Sequence, residues 1–508
     1  MNGSKQGIPW RVSKGEEKTK AARAPGTRKW CALLRGEAGQ VSSRDRVMAQ
    51  FATFLRNSFR RRSSAVRENN FQATAKENVL LRGNKPEGKS LHFPGGQFFE
   101  YLVVVSLKRK RPEEEYQPEI TYQFPKRENL LKSQKEEEER LLKAIPLFSF
   151  PDGITWAPLS EYTSETFSFV LTNVDGSRKF GYCRRLLPSG KGARLPIVYC
   201  IISCLGCFGL FSKILEEVEK RHQIATAVIY PFMQALRETP FPAPGKTVTV
   251  KSFIPDSGTE FIELTRPLDS RLEHVDFRIL IQRVTCENIL CIFASAVLER
   301  RIIFLAEELS VLSQCTHAVA ALLYPFKWEH TFIPVLPRKL IDTVCCPTPF
   351  MVGVQTQWKD QVLDMPMEEV LLVDLYEGKL LKKDGDEEYI VPPKLQNEML
   401  ISLTEQKNAT QTPEQVNKNV SDTFMHFFVR TVGHYTSHIK RSRNEPPTFQ
   451  EKTFCQDIKS KSIRRFVKKL VKTQMFSIFI QEAEKSPASQ EGYFQQKVIE
   501  YQRLKKLK

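Results

Sequence analysis

The stretch LERRIIFLAEELSVLSQCTHAVAALLYPF, residues 298–326, constrains the fold of this chain more than any other. Ile302-Ile303-Phe304-Leu305-Ala306 is β-branched and aromatic enough for a buried strand. After it, Leu309, Leu312, Thr316, Val319 and Leu323 fall at the spacing of one helix face. Pro325 disfavours helical geometry at Tyr324, so the helix should stop there. A second apolar run, Phe332-Ile333-Pro334-Val335-Leu336, follows. Strand, helix and strand make a βαβ unit, and such units often bind nucleotides through a glycine-rich turn after the first strand. Here that turn is Ala306-Glu307-Glu308, with no glycine and two carboxylates that would repel a phosphate. The scaffold of a nucleotide site is present without the site.

A chain of 508 residues suggests about three domains on the usual length prior. The first ordered element should be FFEYLVVVSL (98–107), a strand, followed by EITYQF (119–124) and a helix over 128–144. Two alternating runs around Asp175-Gly176 predict a hairpin. Pro196 to Phe211 is apolar, and 210–222 reads as an amphipathic helix, so this part is a small α+β domain. Residues 236–270, rich in proline and glycine, read as its connection to a second domain at 271–404. That domain carries the βαβ unit and strand-like runs at 345–355 and 370–381. Residues 405–423 are polar; 424–435 and 463–485 repeat apolar residues at helical spacing, and the end to Lys508 reads as an exposed basic tail.

The formal charge of +18 would by itself suggest a nucleic acid or an anionic membrane as partner. Residues 1–90, however, hold 20 Lys and Arg against 7 Asp and Glu, so most of the excess sits in one terminal segment. That segment reads as a solvated, disordered extension. Within it Phe51, Phe54, Leu55 and Phe59 recur at helical spacing ahead of Arg60-Arg61-Arg62, the pattern of a short helix that lies on an anionic membrane. Ser63 and Ser64 would then be phosphosite candidates whose modification weakens that attraction. Eleven scattered cysteines, mostly in apolar runs, are the pattern of reduced cytosolic thiols. Cys204 and Cys207 form a lone Cys-x-x-Cys with no second pair, better read as core packing than as a metal site.

Catalytic motifs are missing: there is no G-x-G-x-x-G, H-E-x-x-H or G-x-S-x-G. Gly245-Lys246-Thr247 resembles the end of a phosphate loop, but Pro240 stands where the earlier glycine belongs, so a turn entering a strand is the better reading. His317 reads as a solvated histidine rather than a catalytic one. No cofactor and no metal are expected.

ASAVLERRIIFLAEELSVLSQCTHAVAALLYPFKWEHTFIPVLP with CCPTPFMVGV resembles the central segment of the DENN domain. FFEYLVVVSL, TYQFPKRE, IPLFSFPDG, FSFVLTNVDGSRKFGYCRRLLP and VYCIISCLGCFGLFSKIL are similar to its upstream segment, and KKLVKTQMFSIFIQEAE to its downstream one. The fine pattern resembles a compact member of the second DENN subfamily. The resemblance implies an α/β, bilobal, tripartite architecture. Its parts would be a longin-like α+β lobe over 98–249, a central α/β lobe with βαβ units over 271–404, and a helical block over 406–490 packed on the larger lobe. A basic tail of 1–97 precedes them and one of 491–508 follows.

The resemblance also implies a function: guanine-nucleotide exchange on a Rab GTPase of the late-endosome to Golgi route, through binding of its GDP-bound and nucleotide-free forms. The expected location is cytoplasmic, with peripheral recruitment to endosomal or Golgi membranes. A Rab-binding adaptor without exchange activity is the competing reading. A nucleotide-dependent enzyme lacks the phosphate loop, and a nucleic-acid binder lacks a basic folded face. For GTPase contacts the lobe junction offers Phe253, Ile254 and Asp256 in the connection and Glu299, Arg300 and Arg301 before the central strand. The competing reading of the first two is core packing, and of the last three plain solvation beside a strand.

Overall fold

The computed structural model describes residues 96–508 apart from 110, 128–130, 154, 174–175, 256–257, 267–275, 409–410, 442–445, 486–491 and 507–508. The membrane-contact and phosphosite candidates at 51–64 lie outside the described residues.

Five antiparallel strands build the first lobe: β1 (Tyr101–Lys108), β2 (Gln117–Phe124), β3 (Glu165–Thr172), β4 (Arg178–Leu186) and β5 (Ile197–Ser203), in the order β2-β1-β5-β4-β3. The predicted hairpin is β3 and β4, joined by Asn173–Ser177, with Gly176 at φ 88°, where a side chain would be strained. The predicted exposed helix is α1 (Lys132–Ser149), starting a turn later than expected and running to the end of the apolar Ile145–Phe148. α2 (Phe208–Ile224) and α3 (Ile229–Glu238) lay Phe211, Ile214, Leu215, Phe232, Met233 and Leu236 into one core with Tyr182, Tyr199 and Ile201 of the sheet.

The proline- and glycine-rich connection is largely structure: β6 (Thr247–Ile254) and β7 (Gly258–Thr265) pair along their whole length as a hairpin. Its inner face, Val250, Ile262 and Leu264, joins the core of the first lobe. Alternation across the pleat therefore turns Thr249, Lys251 and Phe253, with Phe261 and Glu263, outward. Gly245-Lys246 forms the turn that enters β6, as expected from its sequence.

The central lobe opens with α4 (Phe277–Arg283) and the buried α5 (Cys286–Val297). Its sheet, in the order β12-β11-β8-β10-β9, has β8 (Arg301–Ala306) at the centre. β10 (Phe350–Gln355), β11 (Val370–Asp374) and β9 (Thr331–Ile333) run parallel in it, and β12 (Lys379–Lys382) is an antiparallel edge. The predicted βαβ unit is β8, α6 (Leu309–Ala321) and β9, but β10 inserts between its two strands. α6 ends three residues before Tyr324; the amides of Leu322, Leu323 and Tyr324 bond three residues back and tighten the last turn ahead of Pro325. Gly353 is required by contact: a Cβ there would stand 2.1 Å from the Pro334 carbonyl and 2.6 Å from Leu312 Cγ.

α7 (Lys359–Leu363) follows β10, and α8 (Pro393–Asn408) leads into the third block. α9 spans Pro413–Val432, starting inside the stretch that reads as polar. Thr412 and Gln415 form a reciprocal capping box with Pro413 at the first helical position. The apolar run 463–485 is two helices, α11 (Lys461–Leu470) and α12 (Gln474–Lys485), preceded by the short α10 (Glu451–Asp457). The C-terminal tail contains α13 (Tyr493–Lys506), which buries Phe494 and Val498 and leaves its basic end, 502–506, exposed. The block packs on the central lobe through aromatic edges: Phe293 against Phe424, Phe427 and Phe428, and Phe326 against Phe428 and Phe479 at 4.9 and 5.1 Å.

Candidate functional site

The two lobes meet along α6 and β3, from the carboxyl ends of the central parallel strands to Trp328, which precedes the amino end of β9. From β8 the chain passes to β9 and β10 on one side and then to β11 on the other, so β8 is the switch point where open α/β sheets bind ligands. Here the first lobe fills that place. Gln355, at the end of β10, donates Nε2 to Asp152 Oδ1 at 2.6 Å, and the other Asp152 oxygen accepts from Arg185 at 2.5 Å. Arg185 is fully buried and its guanidinium lies 5.1–5.7 Å from the ring centres of Phe150, Trp156 and Phe167. Burial opposes its charge, but Asp152 beside it raises its affinity for the proton above the ordinary arginine value.

At the N-terminus of α6, the backbone N–H of Ser310 donates to Glu165 Oε2 at 3.2 Å, and Tyr162 holds the other oxygen at 3.1 Å. A helix N-terminus attracts negative charge, and the charge supplied is a carboxylate from the opposite lobe. Glu307 and Glu308 are exposed; Glu308 reaches Arg283 at 3.3 Å instead of capping the helix. Ser313 Oγ accepts from the Ser168 amide at 3.3 Å, and Arg178 bonds the Trp328 carbonyl. His317 is half-buried between Phe180 of the first lobe and Phe332, 6.5 and 5.1 Å away, not the solvated residue its neighbours suggested. Asp374, ending β11, is buried; burial alone would raise its carboxyl, but the amides of Glu377 and Tyr376 and the Lys359 ammonium hold it below the usual range.

The contact candidates meet four different fates. Phe253 is 62% exposed on the outer face of the β6–β7 hairpin, and Phe261, diagonal to it across the ladder, is 66% exposed. Ile254 is buried, and Asp256 lies outside the described residues. Glu299, Arg300 and Arg301 are engaged within the chain rather than solvated. The Glu299 carboxylate accepts the Gln474 and Met475 amides at 2.8 and 2.7 Å, capping α12, with His330 Nε2 3.2 Å away. Burial would raise its pKa, but the His330 ring and those two amides outweigh it and hold the carboxyl below its ordinary value. Arg300 faces Asp384, Asp386 and the buried Glu387 at 3.3, 2.6 and 3.5 Å. Arg301 stands 3.7 Å from Glu369.

Sequence reasoning passed over the residues that position this surface. Arg221 is wholly buried, pairs with Glu217 at 2.7 Å and Glu260 at 3.4 Å, bonds Ser252 at 3.1 Å, and lies 4.3 Å over the Phe232 ring. It ties the hairpin to α2. No local pattern marks it, since an arginine near a helix C-terminus reads as solvated. Phe261 could have been found: TEFIELT alternates, and Ile262 and Leu264 inward put Phe261 outward. Cys207 is in the core as expected, whereas Cys204 is exposed, with Sγ donating to Glu100 at 2.8 Å.

Three family models match the chain in order: the uDENN domain over residues 118–186, the DENN (AEX-3) domain over 194–378 and the dDENN domain over 449–497. The chain belongs to the DENN-domain family. It is 65% identical to DENN domain-containing protein 2D of Homo sapiens over 459 residues, covering 90% of this chain and 96% of that one, and 65% identical to its Mus musculus counterpart over 455 residues. DENN domain-containing protein 2B of Homo sapiens is 52% identical over 414 residues, 80% of this chain but 36% of its own length. The matched segments do not follow the lobes: β5, in the middle of the first sheet, falls in the DENN match.

Proposed function

We propose that this protein is a guanine-nucleotide exchange factor for a Rab GTPase, acting through its GDP-bound and nucleotide-free forms. The observation that carries the reading is the ordered set of three DENN segments at high identity to whole-length relatives. The geometry is consistent with it. The switch-point crevice is closed by Glu165, Asp152 and Arg185, so the βαβ scaffold serves as a rigid support for a partner that brings its own nucleotide. Catalysis is then differential binding: a thousandfold faster GDP release needs about 4 kcal/mol of preference for the release transition state. Apolar contacts at a partner surface can supply that without a proton transfer.

In this reading Phe253 and Phe261 touch the GTPase, and Ile254, Arg221 and Ser252 hold the strands that present them. Glu299, Arg300 and Arg301 act by fixing the entry to β8 and the start of α12. The finer assignment is a Rab of the late-endosome to Golgi route, met by a cytoplasmic protein recruited to those membranes through Phe51–Arg62 and released by phosphorylation at Ser63 or Ser64.

Fluorescent-GDP release from a panel of Rab proteins, with and without residues 1–97, tests this. Acceleration of one Rab supports the proposal. Binding with unchanged release rates assigns the protein as an adaptor, and indifference to every Rab, loaded or emptied, overturns the reading. Liposome binding that survives loss of residues 48–66 removes the membrane role.

A further inference from the structure

We propose that His434, His438 and Asp457 form a divalent transition-metal site, of the kind that takes Zn²⁺, which staples the end of α9 to the end of α10. One ligand atom from each of the three residues lies within 4.8 Å of the other two. Around a bound zinc the ligand atoms stand about 2.0–2.2 Å from the metal and so about 3.3–3.6 Å from one another, a spacing that His438 Nε2 and Asp457 Oδ2, 3.6 Å apart, already meet. Binding then needs His434 drawn toward that pair by no more than about 1.5 Å, and Asp457, whose side chain is 67% exposed, is free to follow it.

The surroundings orient both rings for the task. His434 Nε2 is 3.2 Å from the Phe454 carbonyl, an acceptor, so that nitrogen carries the hydrogen and Nδ1 keeps the lone pair. The ring is stacked on Phe454 at 4.3 Å and 18°, which holds its plane. His438 Nδ1 is 3.2 Å from Thr453 Oγ1, and that hydroxyl already donates to the Gln450 carbonyl at 3.0 Å. The hydroxyl must therefore accept from His438, placing the ring hydrogen on Nδ1 and the lone pair on Nε2. Nε2 in turn faces Asp457 Oδ2 at 3.6 Å. Fixing each imidazole through its other nitrogen is the outer-shell arrangement of metal-binding histidines.

Two imidazoles and one carboxylate suit Zn²⁺ and its neighbours in the first transition row far better than Ca²⁺ or Mg²⁺, which prefer oxygen alone. Three protein ligands leave a fourth position, open to solvent on the Asp457 side. The metal would join two elements separated by 18 residues of chain, the short β13 (Ile439–Lys440) and β14 (Thr448–Phe449) among them. This inference does not depend on the exchange reading.

The test uses the full chain, stripped with chelator and titrated with Co²⁺ as a spectroscopic probe and Zn²⁺ by calorimetry. The expected result is one equivalent bound with imidazole-type cobalt absorption, and slower amide exchange over residues 434–457 when zinc is present. Asp457→Asn and His438→Gln should each lower zinc affinity by more than the roughly 10–100-fold typical of an outer-shell loss, and Thr453→Val by about that amount. Asp457 is exposed, so its variant should keep the metal-free melting curve even where His438→Gln unfolds. Absence of stoichiometric binding overturns the proposal. So does binding that persists in Asp457→Asn with thiolate-type cobalt absorption, since cysteines would then hold the metal.

Discussion

Replacing Glu299 by alanine removes the acceptor of two backbone N–H groups at the first turn of α12, now bonded at 2.8 and 2.7 Å. The side chain is 10% exposed, so water does not simply take its place. A hydrogen bond to a charged group is worth about 1.5–3 kcal/mol, and losing a helix cap about 0.5–2 kcal/mol. Some water will enter the space left, so the net cost should be about 3 kcal/mol. If a body of about 400 residues melts as one, with about 2.1 cal/mol/K per residue, Tm falls by about 4 °C. A sharper readout is local: amides at the start of α12 should lose about 100-fold in exchange protection. Glu299→Gln keeps one neutral acceptor and should lose about half as much.

The pH dependence of Glu299 has a definite sign. Its folded pKa is depressed, so its contribution is present above the unfolded carboxylate value and vanishes as pH falls through the folded one. The gap between wild type and Glu299→Ala should therefore close in acid. GTPase binding by the folded fraction should be unchanged. An unaltered Tm and unaltered α12 protection in Glu299→Ala, combined with lost GTPase binding, would refute the structural role and make the residue a partner contact.

Phe253→Ser with Phe261→Ser should stay within about 0.5 kcal/mol of wild-type stability, as surface changes do, yet slow Rab exchange at least about tenfold; an unchanged rate removes the hairpin from the contact surface. Arg221→Met strips the buried partner from Glu217 and Glu260 and should cost about 2–3 kcal/mol, since both carboxylates retain some access to water. Hydrogen exchange should rise selectively over 247–265, and a uniform rise would show that the arginine braces the whole lobe instead. Gly353→Ala drives a Cβ into the Pro334 carbonyl and Leu312 and should cost more than about 3 kcal/mol, visible as a depressed melting curve.

Periodicity and breakers carried most of the fold. The alternation at Glu165–Leu186, the β8–α6–β9 run and the aromatic spacing in the third block all map onto elements where residue pattern and burial agree. The errors have local causes. The β6–β7 hairpin was hidden because Pro240, Pro242, Pro244 and Gly245 precede it and Gly258 and Pro267 bound its second strand, so a 35-residue window averages to a linker. The apolar run over 463–485, unbroken in its helical spacing, divides into α11 and α12 at Thr473, whose hydroxyl donates to the Leu470 carbonyl at 2.7 Å and accepts from the Phe476 amide at 3.3 Å. That cap leaves no gap in the apolar spacing. The start of α9 was legible in Thr412-Pro413-Glu414-Gln415, a signal that polar composition around it obscured. The pairs that join the lobes, Glu165 with Ser310 and Asp152 with Gln355, lie 145 and 203 residues apart, and no spacing rule in one sequence joins them.

Those same partners explain why a doubly wound sheet here carries no phosphate turn. An α-helix that starts at the carboxyl edge of a parallel sheet presents unpaired N–H groups whether or not a nucleotide is bound, and something must satisfy them. In a nucleotide-binding protein the ligand does so, and glycines let its phosphates approach. In this chain Glu165 occupies the position from another lobe, so β3 and α6 are joined by the interaction that would otherwise hold a ligand. Glycine would then be a disadvantage at the β8–α6 turn, because it would loosen the junction without admitting anything. Ala306-Glu307-Glu308 is the consequence, and the sheet's binding edge has become part of the seam between the lobes.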